Sequence, residues 1–297
     1  MFDFLKGGKA NLTVTLDRPV QPYYLGDMVN SRIRIQGQKD LKIQEARVQL
    51  VCREEYQYRY ESRSTDSDGD VDVSEEKRWA VDEQIVQRLQ LMPEGTIPSN
   101  FDQVFEFSAP IPAGWPPTAD GRIVRVKWQV KATLDRKLAA DTEAVADVLV
   151  FAPPTGLAGG VDAYGFSNQP SDALMNFLLP QKEWALGEVV QGQLTIEPQK
   201  AFDVSEIRLE LIRHEHVPRD LGNSHLETVK IKLAGRTRLN PGQSLNYPFS
   251  VTLPTTAPVT LRTRNSSVTW SLAGILARTL RSDTRVEEEI SVCSGRR

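Results

Sequence analysis

Cysteine, histidine and net charge are all scarce in this chain, and each scarcity closes off a class of function. Two cysteines occur in 297 residues, Cys52 and Cys293. They do not occupy matching places in the two halves described below, so a shared disulfide framework is excluded and a reducing compartment fits. Histidine numbers three, all between His214 and His225, which leaves little material for nucleophilic or acid–base catalysis. Neither a Gly-x-Ser-x-Gly elbow nor a Gly-Lys-Ser/Thr phosphate loop is present. With 36 basic and 39 acidic side chains the formal net charge is -3, so no overall field attracts nucleic acid or anionic lipid. Nothing approaches the roughly 18 to 20 consecutive apolar residues that span a bilayer. Met1-Phe2-Asp3-Phe4-Leu5-Lys6 also lacks the basic and apolar regions of a secretory signal. The expectation is a soluble, cytoplasmic protein that is not an enzyme, needs no cofactor and does not bind nucleic acid.

What the chain does have is a copy of itself. Leu25-Gly26-Asp27 returns as Leu186-Gly187-Glu188, and Glu45, Arg47, Leu50 and Glu54 return as Glu206, Arg208, Leu211 and Glu215, all at an offset of 161 positions. Toward the end of each half, Val126, Trp128, Leu134, Arg136, Leu138, Asp141, Thr142 and Val150 match Val268, Trp270, Leu276, Arg278, Leu280, Asp283, Thr284 and Val292 at an offset of 142. A period this long means tandem domains, not a solenoid of small repeats. The drop in offset requires 19 more residues in the first copy, and most of them fall between Glu54 and Pro93. That region holds Glu61 to Glu83, with nine acidic side chains against three basic, and it reads as an extended acidic hairpin tip or loop.

Apolar residues recur at every second position in short runs: Leu12, Val14 and Leu16; Val48, Leu50 and Cys52; Val126, Trp128 and Val130; Phe249, Val251 and Leu253. This is the pattern of half-buried antiparallel strands. Turn signals such as Pro93-Glu94-Gly95 and Asn240-Pro241-Gly242 separate them. The fold class is therefore all-β, with one sandwich in each half. Expected boundaries are 1–153 for the first domain, with its insert at about 61–83, then a Gly/Pro-rich linker over 154–170, and 171–297 for the second domain.

The order of these motifs resembles the arrestin family. Tyr24-Leu25-Gly26-Asp27 and Ala185-Leu186-Gly187-Glu188 look like that family's early strand, and a strand with Glu45 and Arg47, or Glu206 and Arg208, follows. Next come Phe105-Glu106-Phe107 or Tyr247-Pro248-Phe249, a proline-rich step (Pro110 and Pro112; Pro254 and Pro258) and a long Val-x-Trp-x-Val/Leu strand. Within that superfamily the chain is most similar to bacterial sporulation-control proteins. The resemblance implies two tandem immunoglobulin-like β-sandwiches of arrestin type and a non-enzymatic role as adaptor, scaffold or regulator, in sporulation or stress regulation. In eukaryotic arrestins paired lysines beside the first strand grip phosphorylated tails, whereas here Lys6 and Lys9 are not adjacent. The PPxY motif of other arrestin-domain adaptors is missing, because Thr155-Gly156 follows Pro153-Pro154 and Thr118-Ala119 follows Pro116-Pro117.

Four places invite a chemical reading. His214 and His216 would project from one face of a strand, with His225 a third zinc ligand if the intervening loop folds back; the plain alternative is an exposed strand end. Asp66-Ser67-Asp68-Gly69-Asp70-Val71-Asp72 alternates carboxylates as a calcium loop does, yet Val71 sits where the loop needs glycine and Lys77 where it needs glutamate. Trp128 and Trp270 hold equivalent positions and suit a shared core role. Arg262, Arg264, Arg278 and Arg281, with Arg285, Arg296 and Arg297, form either a solvated face or an anion-binding patch that meets membrane or phosphoprotein. The expected partners are proteins, gripped through sheet edges, concave faces or the junction of the sandwiches, and the edges also suit a homodimer. The alternative is a carbohydrate- or surface-binding sandwich module.

Overall fold

A computed structural model of the chain describes residues 9–65, 71–137, 139–154 and 167–295. Most of the linker expected over 154–170, the carboxylate run 66–70, Lys6, Leu138, Arg296 and Arg297 lie outside the described residues. Among those residues there is no helix.

The first half contains β1 (Lys9–Leu16), β2 (Tyr23–Tyr24), β3 (Met28–Lys39), β4 (Leu41–Ile43), β5 (Glu45–Thr65) and β6 (Val71–Met92). It continues with β7 (Gly95–Ile97), β8 (Asp102–Pro110), β9 (Ala119–Asp120), β10 (Val124–Asp135), β11 (Thr142–Val148) and β12 (Val150–Phe151). The second half contains β13 (Ala173–Leu178), β14 (Glu183–Ala185), β15 (Val189–Pro198), β16 (Phe202–Val204), β17 (Glu206–Val217) and β18 (Asn223–Ala234). After these come β19 (Thr237–Leu239), β20 (Leu245–Thr252), β21 (Leu261–Arg262), β22 (Ser267–Ala277) and β23 (Thr284–Cys293).

Strand order repeats with the sequence. Sheet β1-β3-β8 has its counterpart in β13-β15-β20, and β11-β10-β5-β6 in β23-β22-β17-β18. The pair β4-β7 answers to β16-β19, and the parallel pair β12-β2 to the parallel pair β14-β23. The chain thus forms two tandem arrestin-type β-sandwiches. Alternation explains which faces meet in each core: Val29, Ile33 and Ile35 on β3 are buried with Phe107 and Ala109 on β8, while the residues between them are exposed. Val190, Leu194 and Ile196 on β15 do the same for the second copy, opposite Leu209, Leu211, Trp270 and Leu272. Each buried Leu or Ile contributes on the order of 2 kcal/mol through area removed from water.

The Leu-Gly-acid motif is a turn held by its own carboxylate. Gly26 and Gly187 take φ values of 92° and 81°, which cost a residue with a Cβ but not glycine. Asp27 then accepts the Tyr24 N–H at 3.1 Å, and Glu188 the Ala185 N–H at 2.8 Å. The extra residues of the first copy lengthen one hairpin: β5 and β6 have 21 and 22 residues, whereas β17 and β18 have 12 each.

The chain divides into two compact units. The first runs to Glu55 and adds Ala80–Thr118 and Arg125–Phe151; the second takes Tyr56–Trp79, Ala119–Val124 and everything from Ala152. The second unit therefore includes two pieces of first-half sequence.

Candidate interaction surfaces

The polar residues shared by the two copies close the fold. Trp128 donates its indole N–H to the Pro116 carbonyl at 2.9 Å, and Trp270 to the Pro258 carbonyl at 3.1 Å; both rings are buried. Asp141 accepts the Arg136 N–H and Asp283 the Arg278 N–H, each at 3.0 Å. Thr118 accepts the Val150 N–H at 2.9 Å, and Thr260 the Val292 N–H at 2.8 Å. Arg47 and Arg208 also correspond, but their acidic partners do not: Arg47 bridges Glu45 and Asp135, and Arg208 bridges Glu210 and Asp283. These groups satisfy backbone and buried charge, which uses them up as catalytic material.

Glu215, in contrast, serves one long-range purpose. Its side chain is 0% exposed, and its carboxylate accepts the N–H groups of Arg122, Ile123 and Val124 at 3.0, 2.8 and 3.2 Å. Arg213 Nη2 stands 3.4 Å from the same group. Gly121 makes the approach feasible, since a Cβ there would lie 2.5 Å from Glu215 Oε2 and 2.6 Å from the Val124 carbonyl oxygen. Sequence reasoning noticed the Glu54 and Glu215 match but not this role. The available signal was its parity, which puts Glu215 on the same side of β17 as the buried Ile207, Leu209 and Leu211.

Beside it, the turn between β17 and β18 is fastened to β5 within the second unit. Arg219 lies 4.1 Å over the Tyr58 ring and donates to the Tyr56 hydroxyl at 3.1 Å. Arg59 donates to the Gly222 carbonyl, and Asn223 to the Gln57 carbonyl, both at 2.9 Å.

The histidines divide between two faces. His214 and His216 sit side by side with ring centroids 5.6 Å apart, and His216 Nδ1 is 3.0 Å from Ser224 Oγ. His225 pairs directly across from Glu215, and antiparallel partners share a face, so it projects to the side opposite the other two. Among the described residues no three His, Cys, Asp or Glu side chains converge as metal ligands. Burial lowers the pKa of His214, the charge of His216 adds to this, and Glu287 opposes it.

Nor are the arginines gathered into one patch. Arg262, Arg264 and Arg281 are exposed, and Thr263 between the first two closes a turn by donating to the Ser266 carbonyl at 3.0 Å. The Arg278 side chain is only 6% exposed, pairs with Asp172 at 2.7 Å and stacks 4.1 Å over Phe202. Lys200 also pairs with Asp172, and its bond, reinforced by Arg278, holds that carboxyl below the ordinary range despite burial.

A groove of about 460 Å³ lies on the outer face of the β23-β22-β17-β18 sheet. Cross-strand registry places Glu287, Ala273, Glu210 and Lys230 in one row, and Glu289, Ser271, Ile212 and Thr228 in the next. Ile212 lines the groove and belongs to a buried apolar cluster with Ala273 and Ile275, and Leu226, which also lines it, is exposed. Arg208, Lys230 and Arg285 surround Glu210 at 2.8, 3.7 and 4.0 Å. Burial pushes Glu287 up, but bonds from Ser271 at 2.5 Å and Arg285 at 2.7 Å take it below the ordinary carboxylate range. The groove therefore offers apolar contact at Ile212 and Leu226 among fixed charges of both signs.

Comparisons with known proteins agree with this architecture. Residues 12–154 match the family model described as arrestin (or S-antigen), N-terminal domain, and residues 171–284 match the model described as SpoOM protein. A search of curated proteins finds none that matches the chain. Among solved structures, the crystal structure of Spo0M, sporulation control protein, from Bacillus subtilis is 25% identical over 41% of this chain and 49% of that one, with a TM-score of 0.36. The matched part is thus about half of that protein's length. With the arrestin model matching the first half and the SpoOM model most of the second, the two matches support an arrestin-like, Spo0M-related family.

Proposed function

We propose that the protein is a non-enzymatic, cytoplasmic regulatory adaptor, acting in sporulation or stress control, that holds protein partners on the outer face of its second sandwich. The observation that carries this reading is the groove in which apolar Ile212 and Leu226 lie among Glu210, Arg285, Glu287 and Glu289. Support for a regulatory role comes from the two matched families. Support against catalysis comes from the shared polar residues, which are bound to backbone or to one another.

Ile212→Arg places a charge in the groove while leaving the opposite, core-facing side of β17 untouched. Affinity capture from the native host with full-length protein should retain partners on the wild type that the variant loses. If both retain the same proteins, or neither retains any, the groove is not the partner site. An equal circular dichroism spectrum and melting temperature for the two proteins ensures that the comparison reads binding and not folding.

A further inference from the structure

We propose that the chain forms a two-fold dimer in which β6 pairs antiparallel with β6 of a second copy, centred on Ala80. This surface is separate from the groove, so the two readings fail independently.

β6 ends the sheet β11-β10-β5-β6. One side of its backbone therefore has no neighbouring strand among the described residues. Such rims are usually blunted by proline, a bulge, shortness or charge, and of these β6, 22 residues from Val71 to Met92 without proline or glycine, keeps charge. Large apolar side chains are exposed along it together with the charged ones. Val73, Trp79, Val81, Ile85 and Leu89 are between 38% and 55% exposed, and Val73, Trp79 and Val81 stand at alternate positions on one face. An apolar strand face left open in this way marks an interface.

The order of charges selects a second copy as the occupant. Lys77-Arg78-Trp79-Ala80-Val81-Asp82-Glu83 has two cations, three neutral residues and two anions. A two-fold axis through Ala80, normal to the sheet, sets Lys77 across from Glu83 of the second copy, Arg78 across from Asp82, and Trp79 across from Val81. Every pair joins residues of the same parity, as the symmetry of an isologous strand pair requires. Opposite charges and aromatic or β-branched pairs placed directly across are the stabilising units of a sheet, and like charges there are destabilising. Centring on Trp79 instead opposes Glu75 to Glu83 and Glu76 to Asp82. Centring on Val81 leaves Lys77 across from Ile85 and Arg78 from Gln84. The sequence thus carries its own complement in one register.

The test is the sedimentation of full-length protein. Wild type should sediment as a dimer. Lys77→Glu with Arg78→Asp should be monomeric, as should Asp82→Arg with Glu83→Lys, because each strand then opposes like charges to itself. An equimolar mixture of the two variants should regain the dimer, since all four charged positions become complementary. A monomeric wild type, a dimeric charge-reversed variant, or a mixture that stays monomeric while both variants keep the wild-type circular dichroism spectrum would each overturn the proposal. Should either variant misfold, Ala80→Cys decides: directly opposed Cα atoms are about 4.5–5.5 Å apart, inside the roughly 4.4–6.8 Å that a disulfide spans. Mild oxidation should give a linked dimer with Ala80→Cys but not with Gln84→Cys, and absence of the Ala80→Cys link would reject the register.

Discussion

Two hairpins hold the same topological place in the two copies, β5–β6 in the first and β17–β18 in the second. The shorter hairpin has its turn fastened by Arg219, Arg59 and Asn223, and its edge strand carries Lys230 and Lys232. The longer one presents a 22-residue edge strand with its apolar face to solvent. The duplication has kept strand order, turn glycines and buried hydrogen bonds in both copies, while this pair of hairpins has diverged in length and in the chemistry of its free side. A shared core constrains what faces inward, and an edge is free to change.

The comparison breaks most severely at Glu215, on β17. Glu215→Ala strands three N–H groups and removes one of the two carboxylates paired with Arg213, and the expected loss is about 3–5 kcal/mol. The urea midpoint should fall accordingly with little change in slope. A loss of under about 1 kcal/mol would mean that water replaces the carboxylate without cost. Next in size is Gly121→Ala, whose Cβ would sit 2.5 Å from Glu215 Oε2. It should cost about 1–3 kcal/mol by the same assay, and an unchanged midpoint would show that the turn relaxes freely.

Much of this architecture is legible in the sequence. Period-two runs such as Val126-x-Trp128-x-Val130 give the strands, because one face of each must be buried, and the repeat gives two sandwiches. The Leu-Gly-acid motif is visible as a turn but not as a carboxylate-to-N–H clamp, which depends on backbone conformation. Site residues are harder to read. His225 lies on the opposite side from His214 and His216 because strand registry, set by the whole hairpin, pairs it with Glu215. Arg278 is turned inward by Asp172 and Phe202, more than 70 residues away along the chain. The stretch 61–83 is legible as an acidic hairpin, but the exposed apolar side chains of β6 are not, because which face meets the core is a property of the neighbouring strands.

A smaller effect should appear on acidification. His214 has a folded pKa below its ordinary 6.5, so the folded state binds its proton less readily than the unfolded chain does. Its contribution to stability is present above the unfolded pKa and is lost as pH falls through it. Between about pH 7.5 and 5.5 the wild type should lose more stability than His214→Gln. Equal pH slopes would show that Glu287 cancels burial and the neighbouring His216.

The smallest stability effects, and the sharpest contrast between the edges, belong to Val81→Lys on β6 and Val229→Lys on β18. Both side chains are about half exposed in the single chain, at 50% and 48%, so each substitution should alter folding stability by no more than about 0.5 kcal/mol when measured at high dilution. At concentrations that favour association, the two should separate. Val81 faces Trp79 of a second copy across the Ala80 axis, and a lysine there brings an unpaired charge into the apolar contact, so Val81→Lys should weaken the dimer. Val229 belongs to the edge already guarded by Lys230 and Lys232, so its substitution should leave association unchanged. If the two variants weaken the dimer equally, self-association does not distinguish the edges, and the divergence of the hairpins must serve another partner.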